Sequence, residues 1–262
     1  MDQTDFSMDT CNNLIDVFKC IKCNEPLSTT RTTLLCKNGH SYSINDGYAD
    51  FLESTQDHII ARTFDSFGYE WNSFDLIRAE DEEFWEENYS TNLPLDELSE
   101  AIALDAGCGK GRFSKYVARY VKYLIAVDGS EAVISAVKNT KDSDNILIAK
   151  ANLLSLPFKP ESFNFISCLG VLHHLPDPQE GFKKLRSLLA PKGIMLLYLY
   201  SRDSNISLRN IALKIASLLR KITVKIPPYF DTTLFNFFVI IPAQRYIFFV
   251  KYLIIILADN SG

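Results

Sequence analysis

Three glycines at alternate positions follow an acid in Leu104-Asp105-Ala106-Gly107-Cys108-Gly109-Lys110-Gly111-Arg112-Phe113. An apolar run leads straight into this stretch and an amphipathic run leaves it. Such a strand–turn–helix junction lets backbone approach a ligand closely and presents N–H groups to an anion. Asp128 closes the next apolar run, 21 residues after Gly107. A carboxylate there can accept two hydrogen bonds from a ribose diol; the plainer alternative is a helix N-cap. The loop and the acid together suit a nucleoside cofactor, NAD as well as others. A second chemistry sits near the N-terminus, where Cys20, Cys23, Cys36 and His40 follow the spacing C-x2-C-x12-C-x3-H. Three thiolates and an imidazole complete a closed tetrahedral zinc site. Asn24 and Gly39 suit the tight knuckle turns. A filled ligand set leaves no open position, so this zinc is read as structural. A third candidate is the pair His173-His174, either of which could act as a base or orient an acceptor, or simply pack against the next helix.

These residues need elements to hold them. Short apolar runs at 101–106, 123–127, 145–148, 163–169 and 193–200 read as strands buried on both faces. Between them, 112–120, 130–138 and 178–189 carry helical spacing, the last after an N-cap at Asp177. Alternation of strand and helix predicts a mainly parallel sheet with helices on both faces. The strand ends then carry the glycine loop, Asp128 and the two histidines to one mouth.

The loop Asp105-Ala106-Gly107-Cys108-Gly109-Lys110-Gly111 resembles the first motif of class I S-adenosylmethionine (SAM)-dependent methyltransferases. Leu156-Pro157-Phe158, Glu161-Ser162-Phe163-Asn164-Phe165 and Gly170-Val171-Leu172-His173-His174-Leu175-Pro176-Asp177-Pro178 resemble the later motifs of the type 11 methyltransferase family, in order and spacing. Pro191-Lys192-Gly193 marks the start of its fifth strand. The resemblance covers about residues 101–200 and implies a Rossmann-like fold and SAM as cofactor. It assigns Asp105 and the Gly107 backbone to the methionine ammonium and carboxylate, Gly109 and Gly111 to the turn beside them, and Asp128 to the ribose. Asn152 takes the place of the acid that meets the adenine amino group. Leu153 packs by the adenine, and Leu169 joins the cofactor contacts. Asn164 replaces the usual acid of the fourth-strand motif and is assigned to the fold. His174, with His173 second, is the catalytic candidate. Cys168, in an apolar run, reads as a buried thiol rather than a nucleophile, and Cys108 as a small filler beside the cofactor. The acceptor is read as an unidentified small molecule. The alternatives are a SAM-binding scaffold without turnover, and an rRNA or tRNA methyltransferase that uses the zinc module on RNA.

The rest of the chain bounds these readings. Its 262 residues suffice for one core and a small module. A net charge of -5 counts against a strongly basic nucleic-acid face. Clustered cysteines and a polar start without an apolar leader run suggest a reducing, cytoplasmic setting. The expected division is a zinc-ribbon-like module over 1–54, an aromatic helical linker over 55–98, the SAM domain over 99–200, and an apolar tail over 201–262. In the linker, Phe67-Gly68-Tyr69-Glu70-Trp71 is placed near the cofactor mouth or against the core. The tail reads as a helical cap or an incomplete C-terminal part. Its basic stretch beside apolar runs is the basis for a peripheral membrane contact, and its runs at 235–241 and 252–257 are the candidates for the closing strands of a class I sheet.

Overall fold

A computed structural model describes residues 6–53, 58–200 and 251–257, the last as backbone only. The chain opens with helix α1 (Met8–Leu14), then four short strands: β1 (Leu27–Thr29), β2 (Thr33–Cys36), β3 (Ser41–Asn45) and β4 (Tyr48–Asp50). Helices α2 (His58–Ser73) and α3 (Ala79–Asn88) follow. The alternating region then runs β5 (Ile102–Ala106), α4 (Ser114–Val117), β6 (Tyr123–Asp128), α5 (Ala132–Thr140), β7 (Ile146–Lys150), β8 (Phe163–Leu169), α6 (Pro178–Leu188) and β9 (Leu189–Tyr200). A last strand, β10 (Lys251–Leu257), lies within the apolar tail. It coincides with one of the two runs proposed as closing strands; the other, 235–241, and the basic stretch lie outside the described residues.

One sheet holds the ten strands among the described residues, in the order β1-β2-β3-β4-β7-β6-β5-β8-β9-β10. Its centre, β7-β6-β5-β8-β9, is parallel throughout. Each central strand buries alternate residues on opposite faces, as period-2 geometry requires. Leu104, Ala106, Ile125, Val127, Ile166 and Met195 join one core, with Leu185 and Leu188 of α6. Ala103, Leu124, Ala126, Phe165 and Leu196 join the other, with Trp85 of α3, Tyr116 of α4 and Ala136 of α5. The fold is therefore the α/β Rossmann-like arrangement expected.

The expected helix over 112–120 is cut to four residues. No side chain caps it at Phe113, and i→i+3 bonds such as Tyr120 N–H to Val117 O tighten its flanks. Helix α6 starts as expected, with Asp177 accepting from the N–H groups of Gln179 and Glu180. The fifth strand begins earlier than expected, at Leu189, because its pairing with β8 absorbs an irregularity between Phe163 and Phe165.

The N-terminal residues continue the sheet. Strand β4 pairs parallel with β7, Tyr48 beside Ile148 and Asp50 beside Lys150. The β7–β8 crossover contains no helix. Phe18 fills that space instead, fully buried between Phe51 and Phe158 at ring separations of 5.6 and 5.2 Å. Backbone bonds from Lys19 N–H to Pro157 O and from Lys159 N–H to Val17 O seal the seam. Among the described residues no helix is long and apolar enough to cross a membrane.

Candidate functional site

The glycine loop leaves β5 at Gly107, whose φ of +85° suits glycine. A Cβ there would run into the side chain of Val171, on the loop after β8. Gly111, also left-handed at φ +76°, lets the loop sit 3.2–3.4 Å from Ala136 of α5, measured from where a Cβ would be. The loop is tied to the end of β6: the N–H groups of Gly107 and Cys108 donate to Val127 O, and that of Gly109 donates to Asp128 Oδ2 at 2.9 Å. Asp128 Oδ1 accepts from the backbone and the hydroxyl of Ser130. Oδ2, with one bond, has room for a further acceptance. Asp128 thus caps the loop and faces the cavity at once.

That cavity measures about 130 Å³ and opens at the C-terminal ends of β5, β6 and β8. Gly107, Gly109, Asp128, Leu153, Leu169 and His174, all expected at the site, line it together. Asp105, Gly111, Asn152 and His173 stand behind its wall. Asp105 is buried under the loop and accepts from Ser114 Oγ at 2.6 Å and Ser167 Oγ at 2.9 Å. Burial pushes its carboxyl up to about 6, against the pull of the two hydroxyls. Asn152 spends its side-chain oxygen on the N–H of Leu154, a local turn beside Leu153. Asn164 accepts from Ile102 N–H and so joins β8 to β5, the fold role expected of it. Burial, and then His174, bring the His173 imidazole down to about 4, so it is neutral at physiological pH. The His174 ring meets Phe67 edge-on at 4.9 Å.

Burial pushes both cysteine thiols near the site well up, with Asp105 adding to it, so neither Cys108 nor Cys168 offers a thiolate.

Helix α2 roofs the cavity. Phe64, Phe67 and Trp71 recur on one face at helical spacing and all line it. The Phe64 ring occupies the place a Cβ of Gly129 would take, and Trp71 Nε1 lies 3.2 Å from that of Gly109. Sequence reasoning placed Phe67 to Trp71 near the mouth or against the core; Phe64 could have been found by extending the same period one turn. It did not find Lys110. The Lys110 ammonium is buried and donates to Phe74 O at 2.8 Å and Leu76 O at 2.6 Å.

The second candidate centre is also assembled. The ligand atoms of Cys20, Cys23, Cys36 and His40 all lie within 4.8 Å of one another. Cys20 and Cys36 Sγ are each 3.4 Å from His40 Nδ1, and Cys23 Sγ is 3.8 Å from Cys36 Sγ. Zinc bonds of about 2.3 Å to sulfur and 2.0 Å to nitrogen give tetrahedron edges of about 3.5–3.8 Å. The donor set therefore fits such an ion. Both knuckle turns close as expected, with Asn24 N–H on Cys20 O and Gly39 N–H on Cys36 O, and both residues at positive φ. Tyr42 Oη lies 3.0 Å from Cys20 Sγ as an outer partner. Burial alone would push the Cys20 thiol up. Hydrogen bonds from Tyr42 and from the backbone of Lys22 and Cys23 outweigh it and bring it down to about 6.

Comparison with known proteins agrees with the glycine-loop region. Residues 104–197 match a methyltransferase domain family. An uncharacterized protein of Synechococcus is 32% identical over 128 residues, covering 47% of this chain and 31% of that protein. A ubiquinone biosynthesis O-methyltransferase of Coxiella burnetii is 31% identical over 102 residues, covering 38% of this chain and 44% of that one. The chain thus spans less than half the length of these relatives. Among solved structures it is similar to the N-methyltransferase NodS of Bradyrhizobium japonicum in complex with S-adenosylhomocysteine. The identity is 25% and the TM-score 0.45, over 52% of this chain and 72% of that one.

Proposed function

We propose that this chain, whose residues 104–197 match a methyltransferase domain family, transfers a methyl group from SAM to a small-molecule acceptor. The observation that carries the reading is Asp128, which lines the cavity at the end of β6 and is tied by Oδ2 to the glycine loop and by Oδ1 to Ser130. In this reading Asp128 accepts from the ribose hydroxyls, and the backbone from Gly107 to Gly109 shapes the seat of the amino-acid end. Leu153 and Leu169 flank the adenosyl group. Asp105 supports the loop from beneath through Ser114, rather than meeting the ligand itself. SAM supplies an electrophilic methyl group for in-line displacement. The chain's part is to align an acceptor with it and keep water out. Phe67 and His174 line the cavity in contact with each other; in this reading the acceptor meets them there, and His174 orients it or takes its proton.

The four ligands of the N-terminal centre are read as a structural zinc site that fixes the strands beside β7. The protein is read as cytoplasmic, since its cysteines cluster at zinc-ligand spacing rather than in a disulfide framework. RNA is not favoured as acceptor, given the acidic balance.

A thermal-shift comparison of S-adenosylhomocysteine, NAD and ATP tests the cofactor assignment. Stabilisation by the first alone is expected; stabilisation by NAD alone would contradict it. Release of S-adenosylhomocysteine from SAM should then rise on adding a small-molecule extract and stay flat on adding RNA.

A further inference from the structure

The connector between α2 and α3 is held in an unusual way. Two of its apolar side chains face out, Phe74 60% and Leu76 69% exposed, while Ile77 packs against the second core. Its backbone faces in, and three successive carbonyls are captured by two side chains. Lys110 Nζ takes Phe74 O at 2.8 Å and Leu76 O at 2.6 Å. Asn139 Nδ2 takes Asp75 O at 2.7 Å, and also Lys110 O at 2.9 Å. Lys138 adds an ion pair to Asp75. The connector follows directly on α2, whose last bond runs from Phe74 N–H to Glu70 O. These carbonyls lie just past the C-terminal, negative end of the α2 dipole, where a cation is favoured. The same ammonium lies 5.4 Å from the ring centroid of Trp71.

Residues 74–76, held by polar bonds to their backbone and with Phe74 and Leu76 in water, can let go and rebind without exposing a core. Release has a use here. The cavity of about 130 Å³ is well below the roughly 300 Å³ and upward typical of ligand pockets, and Phe64 and Trp71 of α2 line it, pressed against Gly129 and Gly109. We propose that Lys110, seconded by Asn139, is a positioning residue that latches α2 shut over the glycine loop, and that the latch must open for the cofactor to enter. The gating half rests on the SAM reading; the latch half does not.

Two readouts separate them. Hydrogen exchange of the ligand-free protein tests the latch alone. In Lys110→Met, amides of the second half of α2 and of residues 74–76 should exchange at least tenfold faster, with the sheet amides unchanged. Lys110→Arg, which can still donate to two carbonyls, should restore most of the protection, and Asn139→Ala should show a partial effect. Unchanged α2 exchange in Lys110→Met, or no recovery in Lys110→Arg, would overturn the latch. Stopped-flow binding of S-adenosylhomocysteine, followed by Trp71 fluorescence with Trp71→Phe as the blank, tests the gate. Both association and dissociation rates should rise about fivefold or more in Lys110→Met. A slower or unchanged association rate would overturn the gate. Absence of binding in the wild type would overturn the SAM reading and the gate with it, while the exchange result still decides the latch.

Discussion

At the scale of single residues, the site rests on groups that the fold forces into costly states. Asp105 is the clearest. Its folded carboxyl titrates near 6 because it is buried, against about 3.9 when unfolded. A group whose folded pKa is raised contributes its stability fully below pH 4, and loses it as pH climbs through 6. Asp105→Asn should therefore gain on the wild type between pH 4 and pH 7, by about 2 kcal/mol across that window. Urea titrations at the two pH values check this; a constant gap between the proteins would contradict it. Gly107→Ala meets both a left-handed backbone and Val171, and should weaken S-adenosylhomocysteine binding at least tenfold while the protein stays folded. The residues of this class were legible because glycine and acid spacing reports a backbone requirement. Lys110 was not, since nothing in a lone lysine inside a glycine loop says that its partners are carbonyls some 34 to 36 residues upstream.

At the scale of elements, the five central strands were legible because burial on both faces makes continuous apolar runs. Helix α2 was read only as part of an aromatic linker, since its periodic stripe of Phe64, Phe67 and Trp71 is interrupted by Gly68 and polar residues. The larger surprise is β4. Pairing between residues 48–50 and 148–150 spans about a hundred positions, and no local pattern announces it. Its consequence is that the N-terminal residues do the work of a missing crossover helix over β7. Phe18→Ala, which empties a fully buried site between Phe51 and Phe158, should cost about 3–5 kcal/mol. The loss should appear in the melting of the whole protein, not in a separate N-terminal step.

At the scale of the molecule, the Cys20, Cys23, Cys36 and His40 centre and the glycine-loop region share one hydrophobic core. Metal binding to such a site is folding free energy. Elemental analysis should find about one zinc per chain. Chelation should lower the melting temperature of the entire domain in one cooperative transition, followed by far-ultraviolet circular dichroism; a sheet that melts unchanged after zinc is gone would contradict the shared core. Two candidate centres were visible from spacing alone, but their union through a single sheet was not, because it depends on long-range pairing.

The central claim is that the loop from Gly107 to Gly111 and Asp128 hold SAM. Calorimetric titration of the zinc-replete protein with S-adenosylhomocysteine, beside Asp128→Ala, tests it most directly. Micromolar binding by the wild type that falls at least tenfold in Asp128→Ala is the result this account predicts. Equal affinity in the two folded proteins, or none in either, would contradict it.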